Sequence, residues 1–97
     1  MKIETLDELL PLGSIVTLKG GTKKIMICGR IQEEIKSHKQ YDYTACYYPE
    51  GILDPHELFL FQHEDIERVY YVGMQDDEEF AFRQFIVDKM KEKGYVK

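Results

Sequence analysis

Leu10 to Arg30, LPLGSIVTLKGGTKKIMICGR, reads as one β-hairpin whose entry and turn are both specified. Leu12, Ile15, Val16 and Leu18 make a short apolar, partly β-branched run, and Gly20-Gly21 supplies the turn. In the second strand Ile25, Ile27 and Ile31 fall on one face by the two-residue period, with Gly29 among them. Met26, Cys28 and Arg30 then point the other way. A hairpin alone is marginal in water, so the rest of the chain is expected to cover it.

Upstream, Thr5-Leu6-Asp7-Glu8 has the form of a capping box, which predicts a short helical turn ended by Pro11. Its leucines, Leu6, Leu9 and Leu10, are expected to lid one open end of the sheet. Downstream, Gln32 to Gln40 is a charged loop or hairpin tip, and Tyr41 to Tyr48 is an aromatic strand. Antiparallel pairing about a turn near Lys36 sets Arg30 against Asp42 and Gly29 against Tyr43. Pro49-Glu50-Gly51 and Asp54-Pro55 mark turns. Leu58 to Phe61 is a short strand, Gln62 to Asp65 a tight polar turn with Ile66 pointing inward, and Val69 to Gly73 the last strand.

From Asp76 the period changes. Phe82, Phe85, Ile86 and Met90 recur at helical spacing and form the stripe expected to lie on the sheet. Acidic residues Asp76 to Glu79 crowd the start, Lys89, Lys91 and Lys93 the end, as a helix dipole favours, and Gly94 stops it. Phe80 and Val87 fall off the stripe and are left for a partner. The chain is therefore one α+β domain over 1–97: lead-in 1–13, sheet core 14–73, helix 75–94. The sheet is small, curled, antiparallel and barrel-like, of about five strands, closed by the C-terminal helix.

Composition narrows the function. At 97 residues the chain forms one domain. A net charge of -5 without a basic groove argues against nucleic acid. No apolar run approaches the ~20 residues of a bilayer span, so no membrane insertion is expected. Cys28 and Cys46 lack CxxC spacing and no signal peptide precedes them, which reads as reduced thiols in the cytoplasm.

Each chemical motif has a plainer explanation. His38, His56 and His63 with the two cysteines are spread singly, without the clustered spacing of metal ligands, so no metal and no cofactor is expected. A Cys46–His63 nucleophile pair lacks the nearby positive charge or helix N-terminus that activates a thiol, so no catalytic residue is assigned. Lys19-Gly20-Gly21-Thr22-Lys23 lacks the GxxxxGK pattern and the following helix of a phosphate loop. Tyr41, Asp42, Tyr43, Tyr47 and Tyr48 are different: alternation sends half of them into the core and half to the surface. Tyrosine suits recognition surfaces, so these five with Phe80 and Val87 are the candidate partner-binding residues.

Leu10-Pro11-Leu12-Gly13-Ser14-Ile15-Val16, Leu18-Lys19-Gly20-Gly21, Met26-Ile27 and Gly29-Arg30 open an ordered set of matches. Tyr41-Asp42-Tyr43, Tyr48-Pro49-Glu50-Gly51, Phe61, His63 through Ile66, Val69 and Gly73 continue it. Over roughly Leu10 to Gly73 the chain resembles a small bacterial family of unknown function, encoded in Gram-positive bacteria beside type VII secretion systems and their LXG-type toxins. Gln62 stands where asparagine is more usual, the stretch directly after Gly51 matches less closely, and the final helix is not diagnostic of the family.

The resemblance implies a cytosolic accessory of that system, a chaperone or adaptor holding a toxin before export, with no catalytic residue to transfer. The expected role is thus a non-catalytic protein-binding module whose partner is a secreted toxin or a secretion component. The alternatives are a small enzyme with an unrecognised pocket and a self-associating module, a homodimer among them.

Overall fold

The computed structural model describes residues 8–93. Its elements run β1 (Ile15–Leu18), β2 (Ile25–Glu33), β3 (Gln40–Tyr47), β4 (Phe59–Phe61), a single 3-10 turn (His63–Asp65), β5 (Ile66–Tyr71) and α1 (Asp77–Lys93). The five strands form one antiparallel sheet in the order β4-β3-β2-β1-β5. The sheet is open, with β4 and β5 as its edges, so the barrel-like expectation is corrected: the two edge strands lie at opposite margins and do not pair. The capping box at Thr5 to Glu8, with Leu6, falls mostly outside the described residues, as does Gly94.

The opening hairpin forms as expected, with Ile15 against Met26 and Val16 against Ile25. Gly20, at φ +82°, takes the left-handed corner of its turn, closed by the Gly21 N–H on the Leu18 carbonyl at 2.9 Å. Leu12 is not a strand residue. It sits exposed in a Pro11–Ser14 turn, where Gly13 has φ +88° and the Ser14 N–H reaches the Pro11 carbonyl.

That turn is pinned from two sides. Gly13 and Ser14 exchange backbone hydrogen bonds with Ile27 at 2.8 and 2.9 Å. The buried Ser14 hydroxyl donates to the Pro11 carbonyl at 2.8 Å and accepts the Gly73 N–H at 3.0 Å. Gly73 lies so close that a Cβ on it would overlap the Leu12 carbonyl.

On the β2–β3 ladder the expected register holds from Ile25↔Tyr47 to Ile27↔Ala45 and then slips by one. A bulge between Ile27 and Gly29 puts one extra residue into β2, so Gly29 pairs with Thr44 and Arg30 with Tyr43. The slip moves Arg30 to the opposite face. Arg30 now shares the helix side of the sheet with Val16, Ile25, Ile27, Tyr43 and Ala45. Ile31 still packs against the core, and does so with φ +53°, a conformation costing a β-branched residue about 1–2 kcal/mol.

The core lies between this face and α1. Leu9, Phe61, Ile86 and Met90 complete it, each side chain worth about 1.5–3 kcal/mol of burial. Ile86 and Met90 face inward as expected, whereas Phe82 and Phe85 are 49% and 52% exposed. Glu79 and Arg83 occupy the inner side of the first turns instead, because Arg30 holds Glu79 there. Val87, expected to be spare, is half-buried against the core.

Replacing Gly73 by alanine is expected to destabilise the domain by about 1–3 kcal/mol, lowering the thermal midpoint by roughly 10 °C. Gly21→Ala is the control: its Cβ would meet only the Leu18 carbonyl oxygen at 3.5 Å, and the midpoint should stay within about 3 °C. Calorimetry on the two variants checks both.

Candidate functional site

Two buried polar clusters and two exposed apolar surfaces are the candidates. The first cluster centres on Tyr43, whose side chain is fully buried between Phe61 and His63. Its hydroxyl accepts the Leu10 N–H at 3.0 Å and lies 2.7 Å from His63 Nδ1. His63 Nε2 in turn lies 3.7 Å from the Glu8 carboxylate. Burial pushes the Tyr43 hydroxyl up to about 12, against the lowering effect of the Leu10 N–H, so it is a neutral phenol at any physiological pH.

Carboxylate, imidazole and hydroxyl stand in the order of a catalytic triad, but this oxygen is enclosed and already bonded to the backbone. Its work is to tie the lead-in to the sheet. Beside it the Gln62 side-chain amide acts as a surrogate strand. Its Nε2 donates to the Gln40 carbonyl at 3.0 Å and its Oε1 accepts the Asp42 N–H at 3.1 Å. Asp42, also buried, accepts the His63 N–H at 2.7 Å.

The second cluster joins sheet to helix. Arg30 and Glu79 make a two-pronged ion pair, Nη1–Oε2 2.6 Å and Nη2–Oε1 2.8 Å, with side chains 3% and 11% exposed. Arg83 adds a contact to Glu79 at 2.9 Å. Asp76 caps the helix through the Glu79 N–H at 3.0 Å, which fixes Glu79 in the first turn. Burial raises the Glu79 carboxyl, but the two guanidinium groups outweigh it and hold it below the usual carboxylate range.

Of the residues singled out for binding, Asp42 and Tyr43 lie inside and serve the fold. Tyr41 is half-buried with Lys39 over its ring, and Tyr47 half-buried with its ring edge-on to Phe59 at 5.1 Å. Tyr48 and Phe80 are exposed, and Val87 is half-buried. The set is not brought together as one patch. Cys28 is half-buried and Cys46 buried on the sheet face away from α1; burial, with Cys46 beside it, pushes the Cys28 thiol up, away from reactivity. His38, His56 and His63 stand apart, and among the described residues no group of three or more His, Cys, Asp or Glu could hold a metal ion. Lys23, of the glycine-rich turn, pairs with Glu50 at 2.8 Å.

The surfaces that sequence reading missed are elsewhere. β5 pairs with β1 through two bulges whose extra residues, Glu67 and Tyr70, both belong to β5. Strict alternation is lost, and Val69, Tyr70, Tyr71, Val72 and Met74 are all exposed, Tyr71 at 62% and Met74 at 75%. Lys24 and Arg68 stand 4.9 and 4.8 Å from the Tyr70 ring. Along α1, Phe82 and Phe85 stack at 5.9 Å and border an open groove of about 450 Å³ whose far wall is Ile31, Glu33 and Gln40 of the β2–β3 hairpin. Among the described residues no helix is long and apolar enough to cross a membrane.

Comparison with known proteins returns one family: the model of a domain of unknown function (DUF4176) matches residues 9–82, from the buried Leu9 to the first turns of α1. No curated protein and no solved structure matches.

Glu79→Gln is expected to cost about 2–4 kcal/mol near pH 7, since it leaves Arg30 buried without its counter-charge. A carboxyl held low when folded stabilises fully above its unfolded value and loses that contribution as pH falls through its folded value. The gap between wild type and variant should therefore close below about pH 4, which urea titrations across pH 3 to 7 would measure.

Proposed function

We propose a non-catalytic protein-binding role for this chain, which belongs to the DUF4176 family. The observation that carries it is the apolar run at the β5 margin: five large side chains exposed within Val69 to Met74, on a chain small enough to need its apolar surface for its own core. Two aromatic rings with cations beside one of them make a surface that is greasy yet able to form polar contacts, the composition of a recognition patch. Lys24 and Arg68 place two cations beside the Tyr70 ring on a chain of net charge -5, which favours an acidic, amphipathic partner segment. The bulges bend the β5 backbone away from regular pairing, so side chains and not added strand hydrogen bonds carry the contact.

The partner class is taken from the sequence resemblance: an LXG-type toxin of a type VII secretion system, held by this chain as a cytosolic chaperone or adaptor before export. The family description names no function, and the resemblance alone supports this part.

Co-expression with an LXG-type toxin from the same host is expected to yield a complex that survives physiological salt. Tyr71→Ser combined with Met74→Ser should weaken capture about tenfold or more while leaving the thermal midpoint within about 3 °C, since both side chains are exposed. Wild-type protein that never co-purifies with the toxin overturns the secretion reading; capture unaffected by the double variant overturns this surface.

A further inference from the structure

α1 carries a second exposed stripe, distinct from the β5 margin. Glu78, Ala81, Phe82, Phe85, Lys89 and Glu92 recur at intervals of three, four and seven, so they line one flank of the helix. All are exposed, and the stacked Phe82 and Phe85 rings sit at its middle beside the groove. The inner side is already taken by Glu79, Arg83, Ile86 and Met90.

We infer that this flank docks on the same flank of a second copy of the chain, the two α1 helices running antiparallel about a two-fold axis between Phe82 and Phe85. The charges are complementary only that way. With Phe82 set against the partner copy's residue 85, Glu78 falls opposite residue 89, a lysine, and Lys89 falls opposite residue 78, a glutamate. A parallel arrangement would instead bring the acidic starts, Asp77 and Glu78, against their own copies.

Four phenylalanine rings would meet at the centre, where Ala81 has little side chain to hold the axes apart and the groove offers room for a ring. Lys89 is bonded within its own chain to Glu92 at 3.4 Å, an exposed pair weak enough to exchange for the partner's glutamate. The contact is isologous and closes at two chains. β4 offers no route to longer assemblies, being three residues long and followed by Gln62, whose amide occupies the next stretch of β3.

Sedimentation equilibrium on the full chain, from about 5 to 500 µM, tests this inference. The expected species is about twice the 11.5 kDa chain mass at the upper end. Phe82→Ser with Phe85→Ser should abolish it. Glu78→Lys alone and Lys89→Glu alone should each weaken it about tenfold, and the two together should restore it, a result only the antiparallel register produces. A monomer throughout the range, a dimer indifferent to the phenylalanine pair, or charge variants whose effects add without rescue would each overturn it. Circular dichroism on every variant confirms that α1 is intact. Toxin capture is read on different residues, Tyr71 and Met74, so either proposal can fail while the other stands.

Discussion

The bulge at Cys28 is the constraint from which most of this structure follows. One additional residue in β2 turns Arg30 from the far face of the sheet to the face under α1. A guanidinium there needs a carboxylate, because a buried charge without a partner costs several kcal/mol. Glu79, held in the first helical turn by the Asp76 cap, supplies it with two bonds of 2.6 and 2.8 Å. That pair sets the rotation of the helix about its axis. Ile86 and Met90, seven and eleven residues on, come under the same side and enter the core. Phe82 and Phe85, on the adjoining flank, are left outside.

The half of β2 before the bulge was legible because period-two alternation is all that determines it. Ile25 and Ile27 face the core, and the register to Ala45 is the simple one. The half after the bulge was not, since Gly29 is the only hint of irregularity and an isolated glycine is equally compatible with a regular strand. The helix stripe failed for a related reason. Hydrophobic periodicity ranks Phe82 and Phe85 above Glu79 and Arg83, and has no means of valuing a two-pronged ion pair with a residue 49 positions away in the chain.

The surfaces divide similarly. Tyr43 and Asp42 were singled out by their residue types, but tertiary contacts decided against them: the phenol is needed by the Leu10 amide and the Asp42 carboxylate by the His63 amide. The aromatic run at Val69 to Tyr71 reads from sequence as an ordinary strand. Its exposure comes from the two bulges against β1, which let four β1 residues span six of β5. The β5 misreading and that of Arg30 share a physical cause. A bulge changes which face a side chain takes without changing its polarity, so polarity patterns cannot report it.

The two sheet margins show that exposure here is uneven. At the β4 side, a strand of three residues ends in a glutamine whose amide completes the hydrogen bonding of β3, and Asp42 bonds the chain that follows. Past the end of β4, polar side chains take the place of a neighbouring strand. At the β5 side the backbone is bent by bulges, which blunts strand addition, yet the side chains there are valine, tyrosine and methionine. Apolar side chains are needed neither for sealing nor for solubility at such a position, and the core gains nothing from them.

The Arg30–Glu79 pair can be weighed in the same way. As a source of stability a buried ion pair is a poor choice, since apolar residues of similar volume usually do as well or better. What it contributes is choice between packings. An α1 with leucine in place of Glu79 would have a wide apolar arc, running through Phe82, Ile86 and Met90, and nothing in that arc would favour the observed rotation over one that buries the phenylalanines. The charge pair breaks this degeneracy, because only one rotation brings Glu79 to Arg30. Fold and exposed surface therefore have a common origin: the interaction that orients the helix also keeps Phe82 and Phe85 at the surface.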